Sequence, residues 1–378
     1  MKKLKSLLFA SSIAVITSGC GINDNSSDSY YGENVNYETP YNEKYKDYDE
    51  NQFLSTSEAP ISTFSVDADG GSYTNMRRYI SLGQLPPKAS VRIEEYLNYF
   101  TYSYLEPTDG ENISINTEIS PCYWQTDHML MRIGIKGKTI APNDLPASNY
   151  VFLIDVSGSM SSPDKIGILK AGFKTLVNNL GDQDRVAIVT YASNSGVALE
   201  STPCDEKETI NKAIDRLMTG GATAGGAGIE TAYAIAEKYF IPGGNNRIII
   251  GSDGDFNVGA SSVGEVTKMI EEYRDKGIYV TTLGVGGGNY NDHMMEQIAN
   301  KGNGTYEYID KVERLEKVFI HEKSKLYTIA KDVKIQLTFD PETVESYRLI
   351  GYENRALENE DFEDDKKDAG EIGVAQTI

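Results

Sequence analysis

The sequence predicts an α/β protein, a doubly wound and mostly parallel sheet inserted in a β-rich flanking domain. Three observations carry this expectation. Tyr150, Val151, Phe152, Leu153 and Ile154 form one uninterrupted apolar run and Ile248, Ile249 and Ile250 another, which suits strands covered on both faces rather than strands with one wet face. Each run halts near an acid, Asp155 in the first case and Asp253 in the second. From Tyr150 onward strand-like and helix-like stretches alternate over short connections, the pattern of parallel strands joined by right-handed crossovers.

At the start of the chain, Lys2, Lys3 and Lys5 precede an apolar stretch from Leu7 to Ile16 and the residues Thr17, Ser18, Gly19 and Cys20. About ten apolar residues are half of what a bilayer-spanning helix needs, so residues 1–20 read as an export signal. Small residues before a cysteine resemble a bacterial lipoprotein processing site, with Thr17 standing where an aliphatic residue is usual. The resemblance implies lipidation of Cys20 and anchoring in a bacterial cell envelope, in the outer membrane if there are two; a plain secreted product is the alternative. Residues 21–61 are rich in Asn, Ser, Asp, Glu and Tyr and nearly free of aliphatic side chains, so the expectation is a disordered tether. Forty residues of coil reach on the order of 35 Å.

Residues 62–148 form an N-terminal flanking region. Helical patterns run from Ser72 to Leu82 and from Ser90 to Phe100, split by Pro86 and Pro87, and alternating strand patterns run from Ile113 to Ile119 and from Leu130 to Ile135. Asp67, Asp69 and Gly70 open like a calcium loop, but the twelfth position is Arg78 rather than Glu, and the expectation is an N-cap cluster for the next helix.

The α/β region is read as residues 149–330. A helix is expected over 163–180, with Ile166, Leu169, Phe173, Leu176, Val177 and Leu180 on one face, Pro163 near its start and Gly181 closing it. Strands follow at Arg185 to Ala192 and, as an edge, Gly196 to Glu200; helices at 205–218 and 226–239; and a strand from Asn246 to Ser252. A helix at 262–276, a strand from Ile278 to Val285, a helix from Asp292 to Asn300, a strand from Thr305 to Ile309 and a long helix from Val312 to about Ile329 complete it. Residues 331–378 return to strands at Val333 to Phe339, Ser346 to Tyr352 and Gly373 to Ile378. The two flanks are expected to build one domain around the insert, with the C-terminal flanking region incomplete. The acids between Asn359 and Asp368 read as a solvated loop.

Composition narrows the function. With 378 residues and 39% apolar content the chain is long enough for two domains with real cores. A net charge of −20 disfavours nucleic acid and anionic membrane surfaces, leaving membrane contact through the N-terminal lipid only. In an oxidising compartment Cys122 and Cys204 invite a single disulfide. Neither has the company of a zinc site, and the three histidines, His128, His293 and His321, stand apart in the sequence.

Oxygen donors gather beyond the strand ends, where ligands of such sheets collect. They are Asp155, Ser157 and Ser159; Thr223 within the glycine-rich stretch from Gly220 to Gly226; and Asp253. One carboxylate and two hydroxyls in five residues suit a hard cation such as Mg²⁺, with Mn²⁺ or Ca²⁺ as substitutes. This Asp-x-Ser-x-Ser, Thr, Asp pattern resembles the metal-ion-dependent adhesion site of the von Willebrand factor type A domain, a Rossmann-like fold. The match is closer to bacterial lipoproteins that carry this domain between two family-specific flanking regions. Phe64 to Asp67, Gln84 to Pro87, Arg92 to Glu95, Asp253 to Gly259 and Arg348 to Arg355 look like that group's segments, while Ala224 stands where many relatives have Asn.

The resemblance implies that Ser157, Ser159 and Thr223 bind the metal directly and that Asp155 and Asp253 act mostly through waters. Hydroxyl ligands leave the ion electrophilic, ready for an Asp or Glu of a protein ligand. The implied function is adhesion or protein binding without catalysis, the alternative being an envelope scaffold or assembly factor whose metal stabilises an intramolecular or subunit contact. Rival sites fit less well. A phosphotransferase nucleophile would want a second Asp where Ser157 stands, a serine hydrolase needs Gly-x-Ser-x-Gly with a partnered His, and the glycine cluster does not follow the first strand as a dinucleotide loop does. No positioned general base is evident in the sequence.

Overall fold

The computed structural model describes residues 43–193, 195–222, 225–254, 263–288, 290–364 and 367–378. The export signal with Cys20, residues 21–42 of the expected tether, and Thr223 lie outside the described residues.

The first flank contributes β1 (Leu54–Ser55), β2 (Ile61–Ser65), α1 (Gly71–Ser81), α2 (Ile93–Asn98) and a hairpin of β3 (Ile113–Pro121) and β4 (Met129–Gly137). The α/β region follows as β5 (Ser148–Asp155), α3 (Ile168–Asn178), β6 (Arg185–Tyr191), β7 (Ser195–Pro203), α4 (Lys207–Asp215), α5 (Gly225–Lys238), β8 (Asn245–Ser252), α6 (Val263–Asp275), β9 (Ile278–Val285), α7 (Asp292–Lys301), β10 (Tyr306–Ile309) and α8 (Val312–Glu316). The second flank adds β11 (Thr328–Thr338), β12 (Ser346–Tyr347) and β13 (Gly370–Gly373). Among the described residues no helix is long and apolar enough to cross a membrane.

The main sheet has the order β10-β9-β8-β5-β6-β7, parallel throughout except for the antiparallel edge strand β7. This is the expected doubly wound α/β sheet. Every residue of β5 and β8 is buried, which is why Tyr150 to Ile154 and Ile248 to Ile250 are unbroken apolar runs rather than alternating ones. Successive side chains still point to opposite faces: Phe152 and Ile154 join one core with Phe173 and Leu176 of α3, while Val151 and Leu153 join the other with Ile229 and Tyr233 of α5.

The flanks meet in shared sheets. Strand β11 pairs antiparallel with β2 on one side and with β13 on the other, and β1 pairs with β12. Ile135 of β4 donates its N–H to the carbonyl of Ile378 at 2.9 Å, and Val66, Ile135, Ile372 and Ile378 form a small core there.

Four expectations are corrected. Residues 43–61 are not a tether: Glu43 is held by Arg78 at 2.7 Å, and Lys44 donates its N–H to the Tyr290 carbonyl. A buried ion pair and this backbone bond supply the anchoring that the polar composition concealed. The long helix expected over 312–329 ends at Glu316, passes through a wide turn at Lys317–His321 and a tight one at Lys323–Leu326, and gives way to β11. Pairing of Thr328 with Gly373 and of Ala330 with Ile372 overrides the helical spacing. Helix α3 likewise begins at Ile168, after a wide turn at Pro163–Gly167. Finally, Cys122 and Cys204 are free thiols. Cys204 is sealed in the core under α3 and α4, whereas Cys122 closes the β3–β4 turn by donating its N–H to the His128 carbonyl. The two thiols thus belong to separately packed regions, and burial pushes the Cys204 thiol up to about 12.

The Phe152 and Phe173 rings stack at 4.3 Å between β5 and α3. Truncation by Phe173→Ala is expected to destabilise the chain by about 3–5 kcal/mol, read as a lower urea midpoint with an unchanged slope.

Candidate metal centre

Strands β5 and β8 are parallel neighbours, so their carboxyl ends open on the same edge of the sheet. Asp155 is the last residue of β5 and Ser252 the last of β8. The Ser252 hydroxyl donates to Asp155 Oδ2 at 3.1 Å, and the Ser157 N–H donates to Asp155 Oδ1 at 2.9 Å. Both oxygens of this buried carboxylate are therefore fixed. Beyond it the Ser157 and Ser159 hydroxyl oxygens stand 3.0 Å apart.

The glycine-rich loop is tied to this turn from both sides. Gly220 donates its N–H to the Val156 carbonyl at 2.8 Å, and Gly158 donates to the Gly221 carbonyl at 3.0 Å. Ala222, immediately before Thr223, donates its N–H to the Ser193 hydroxyl at 2.8 Å. At Gly221 the φ of 86° and a β-carbon position only 2.5 Å from the Ser193 hydroxyl both require glycine.

Asp253 follows β8 and is buried; Lys165, from the wide turn before α3, donates to its Oδ2 at 2.9 Å. Gly254 then turns with φ 83°, where a β-carbon would meet the Asn291 backbone nitrogen. The structure thus brings together Asp155, Ser157, Ser159 and Asp253. It also brings the loop that leads to Thr223 against the serine turn.

Asp155 and Asp253 are two buried carboxylates at the ends of neighbouring strands, and the Lys165 ammonium lies 2.9 Å from Asp253. Burial pushes the Asp155 carboxyl up to about 6, the Ser157 N–H and hydroxyl pull it back, and Asp253 pushes it up again. The Ser157 and Ser159 hydroxyls beside the Asp155 carboxylate are oxygen donors of the kind that suits a hard divalent ion. Ser157 is buried while Gly158, Ser159, Gly221 and Ala222 are exposed, so the group is closed toward the sheet and open toward solvent.

Three contributors were missed from sequence. Ser193 and Ser252 carry no signal beyond their place at strand ends. Lys165 does: it lies four residues before Leu169 and eight before Phe173, a charge in register with the buried stripe of α3, and such a charge calls for a buried partner.

Comparisons with known proteins follow the same division of the chain. Residues 149–320 match the model of the von Willebrand factor type A domain, residues 39–132 the model described as von Willebrand factor, and residues 324–378 the model of the C-terminal region of Uncharacterized protein YfbK. Uncharacterized protein YfbK of Escherichia coli (strain K12) is 43% identical over 348 residues, which are 90% of this chain and 60% of that protein. Uncharacterized protein sll0103 of Synechocystis sp. is 26% identical over 188 residues, 49% of this chain and 43% of that one. The chain thus spans about half the length of these two relatives. Among solved structures, von Willebrand factor type A from Catenulispora acidiphila is 20% identical, with a TM-score of 0.43 over 53% of this chain and 46% of that one.

The raised carboxyl of Asp155 sets a pH dependence. Its protonated form is favoured by folding, so its contribution to stability is fully present below the ordinary carboxylate range near 4 and is lost as pH rises through about 6. In chelator-treated protein, the stability of Asp155→Asn relative to the parent chain is expected to shift in the variant's favour between pH 4 and pH 7. Urea titrations at each pH measure it, and a difference independent of pH contradicts the assignment.

Proposed function

The chain belongs to the von Willebrand factor type A domain family, with the N- and C-terminal flanking regions of the YfbK kind, and from that membership we propose that it is a cell-envelope protein that binds a protein ligand through a divalent cation. The residues that would hold the ion are Ser157, Ser159 and Thr223 directly, and Asp155 and Asp253 through waters. Mg²⁺ is the expected ion. When bound, it supplies a Lewis-acidic position for a carboxylate oxygen of the ligand.

The observation that carries this reading is the pair of hydroxyls 3.0 Å apart above two buried carboxylates at one sheet edge. The rest of the site supports it. Asp155 has one oxygen on the Ser157 N–H and the other on Ser252, and Asp253 has Oδ2 on Lys165. Carboxylates engaged in this way favour a role at one remove from the ion, which leaves the ion short of negative charge. The same engagement makes neither carboxylate a ready general base, so the reading is of a binding protein rather than an enzyme. Export and lipidation at Cys20 would place it on the envelope, where a partner offering Asp or Glu completes the coordination.

The test has two stages. Calorimetric titration with Mg²⁺ is expected to show one site in the parent chain and a loss of at least tenfold in affinity for Ser157→Ala. Affinity capture from native envelope is then expected to yield a partner that elutes with chelator and is absent when Asp155→Ala is the bait. A partner retained equally in chelator and by Asp155→Ala contradicts the reading.

A further inference from the structure

A second group of carboxylates lies where the flanks meet the sheet, away from the adhesion-type site. Asp67 and Asp69 come from the loop between β2 and α1, and Glu95 from α2. One oxygen of each lies within 4.8 Å of the others, and all three residues are buried. The surroundings are short of positive charge. Asp67, Asp69, Glu94, Glu95, Asp292 and Glu296 are six buried carboxylates. The guanidiniums that pair with them are Arg92, on Glu95, Asp292 and Glu296, and Arg355, on Asp67 and Asp69.

One oxygen is left without a hydrogen bond. Asp67 Oδ1 accepts the Asp69 N–H and Oδ2 accepts Arg355; Glu95 accepts Arg92 and the Ser72 N–H; Asp69 Oδ1 accepts the Tyr306 N–H at 2.7 Å. Asp69 Oδ2 accepts none among the described residues, although Asp69 is only 2% exposed, and its ionic contact is a long one, with Arg355 at 3.5 Å, a guanidinium already bonded to Asp67 at 2.9 Å. Three buried acids that share one guanidinium and part of another are costly unless a further cation or a proton compensates them. Burial and the neighbouring Asp67 and Glu95 indeed push the Asp69 carboxyl well above the usual range.

We propose that Asp67, Asp69 and Glu95 form a calcium site that joins the flanking region to the α/β sheet. One oxygen from each of the three side chains lies within 4.8 Å of the others, close enough for a single ion with calcium–oxygen bonds of about 2.4 Å to draw on all three. A dry, carboxylate-walled position favours Ca²⁺ over Mg²⁺, which gives up its waters reluctantly. The loop carries the Asp-x-Asp-Gly opening of a calcium loop, and Glu95 of α2 stands in for the acid missing at Arg78. The side chains do not serve as the expected helix cap: the N-cap of α1 is Gly70, with no side-chain hydrogen bond, and Asp69 reaches instead to β10.

The experiment isolates this site from the first. In the chain carrying Ser157→Ala and Ser159→Ala, calorimetry with Ca²⁺ is expected to report one site, and Asp69→Asn added to that background is expected to weaken it at least tenfold. The thermal midpoint of the double-serine chain is expected to rise with Ca²⁺, a measurement that holds even if the Asn variant folds poorly. No calcium heat and no midpoint shift in the double-serine chain, binding unchanged by Asp69→Asn, or tighter binding of Mg²⁺ than Ca²⁺ would each overturn the assignment. Loss of Mg²⁺ binding on Ser157→Ala bears on the adhesion-type site alone.

Discussion

Two strands buried on both faces lie side by side and reach the same edge of the sheet, and their acids must find compensation there. Asp155 and Asp253 sit where the apolar interior ends, too deep for water to solvate them fully. The surrounding sequence is organised around that cost. Ser252 and the Ser157 N–H satisfy one carboxylate, Lys165 satisfies an oxygen of the other, and the turns between them are so tight that Gly221 and Gly254 are needed. The polar edge exists because the strands beneath it are apolar: a half-exposed sheet would let these acids relax into solvent and would not hold two serine hydroxyls in contact.

The flanks extend the same logic to the other charged layer. β11 leaves the end of the α/β region and pairs at once with β2 from before it, so the two ends of the insert are clamped by backbone hydrogen bonds rather than by a linker. Around this clamp the molecule buries Arg92, Arg355 and their acids beside the small apolar core of Val66, Ile135, Ile372 and Ile378. Buried ion pairs are weak as a source of stability but demanding in geometry. Such an interface fixes orientation: Arg92 of the first flank must face Asp292 of α7 before that buried acid is paired, and Arg355 of the second flank must face Asp67 of the first.

Legibility from sequence followed the physics of each element. The main strands could be read because full burial leaves short apolar runs bounded by polar residues, and the serine turn because its donors lie within five residues. The end of the α/β region could not. Residues 312–329 carry helical spacing, but Thr328 and Ile329 belong to β11, and a strand that pairs with residues some 270 positions earlier gives no local sign of it. The anchoring of residues 43–61 was hidden for the same reason, since Glu43 is ordinary in composition and significant only against Arg78. Lys165 was readable in principle as a charge on a buried stripe. The triad of Asp67, Asp69 and Glu95 was half readable: the two aspartates were visible as a calcium-like opening, whereas Glu95 entered only through the packing of α2.

On the proposed reading, an acidic protein would take an acidic ligand through the ion alone: a divalent cation held by hydroxyls, with the buried carboxylates at one remove, would keep positive charge facing outward. The chain as a whole carries −20, which opposes the approach of an anionic partner. In physiological salt, however, exposed charges more than about 8 Å away are largely screened. The long-range field then neither steers nor strongly repels, and the attraction acts only once a carboxylate has reached the mouth formed by Gly158, Ser159, Gly221 and Ala222. Recognition of this kind depends on fitting the partner's surface to that mouth before the ionic contact is made. On the proposed reading it would select partners by shape, with the metal contact setting how long they stay.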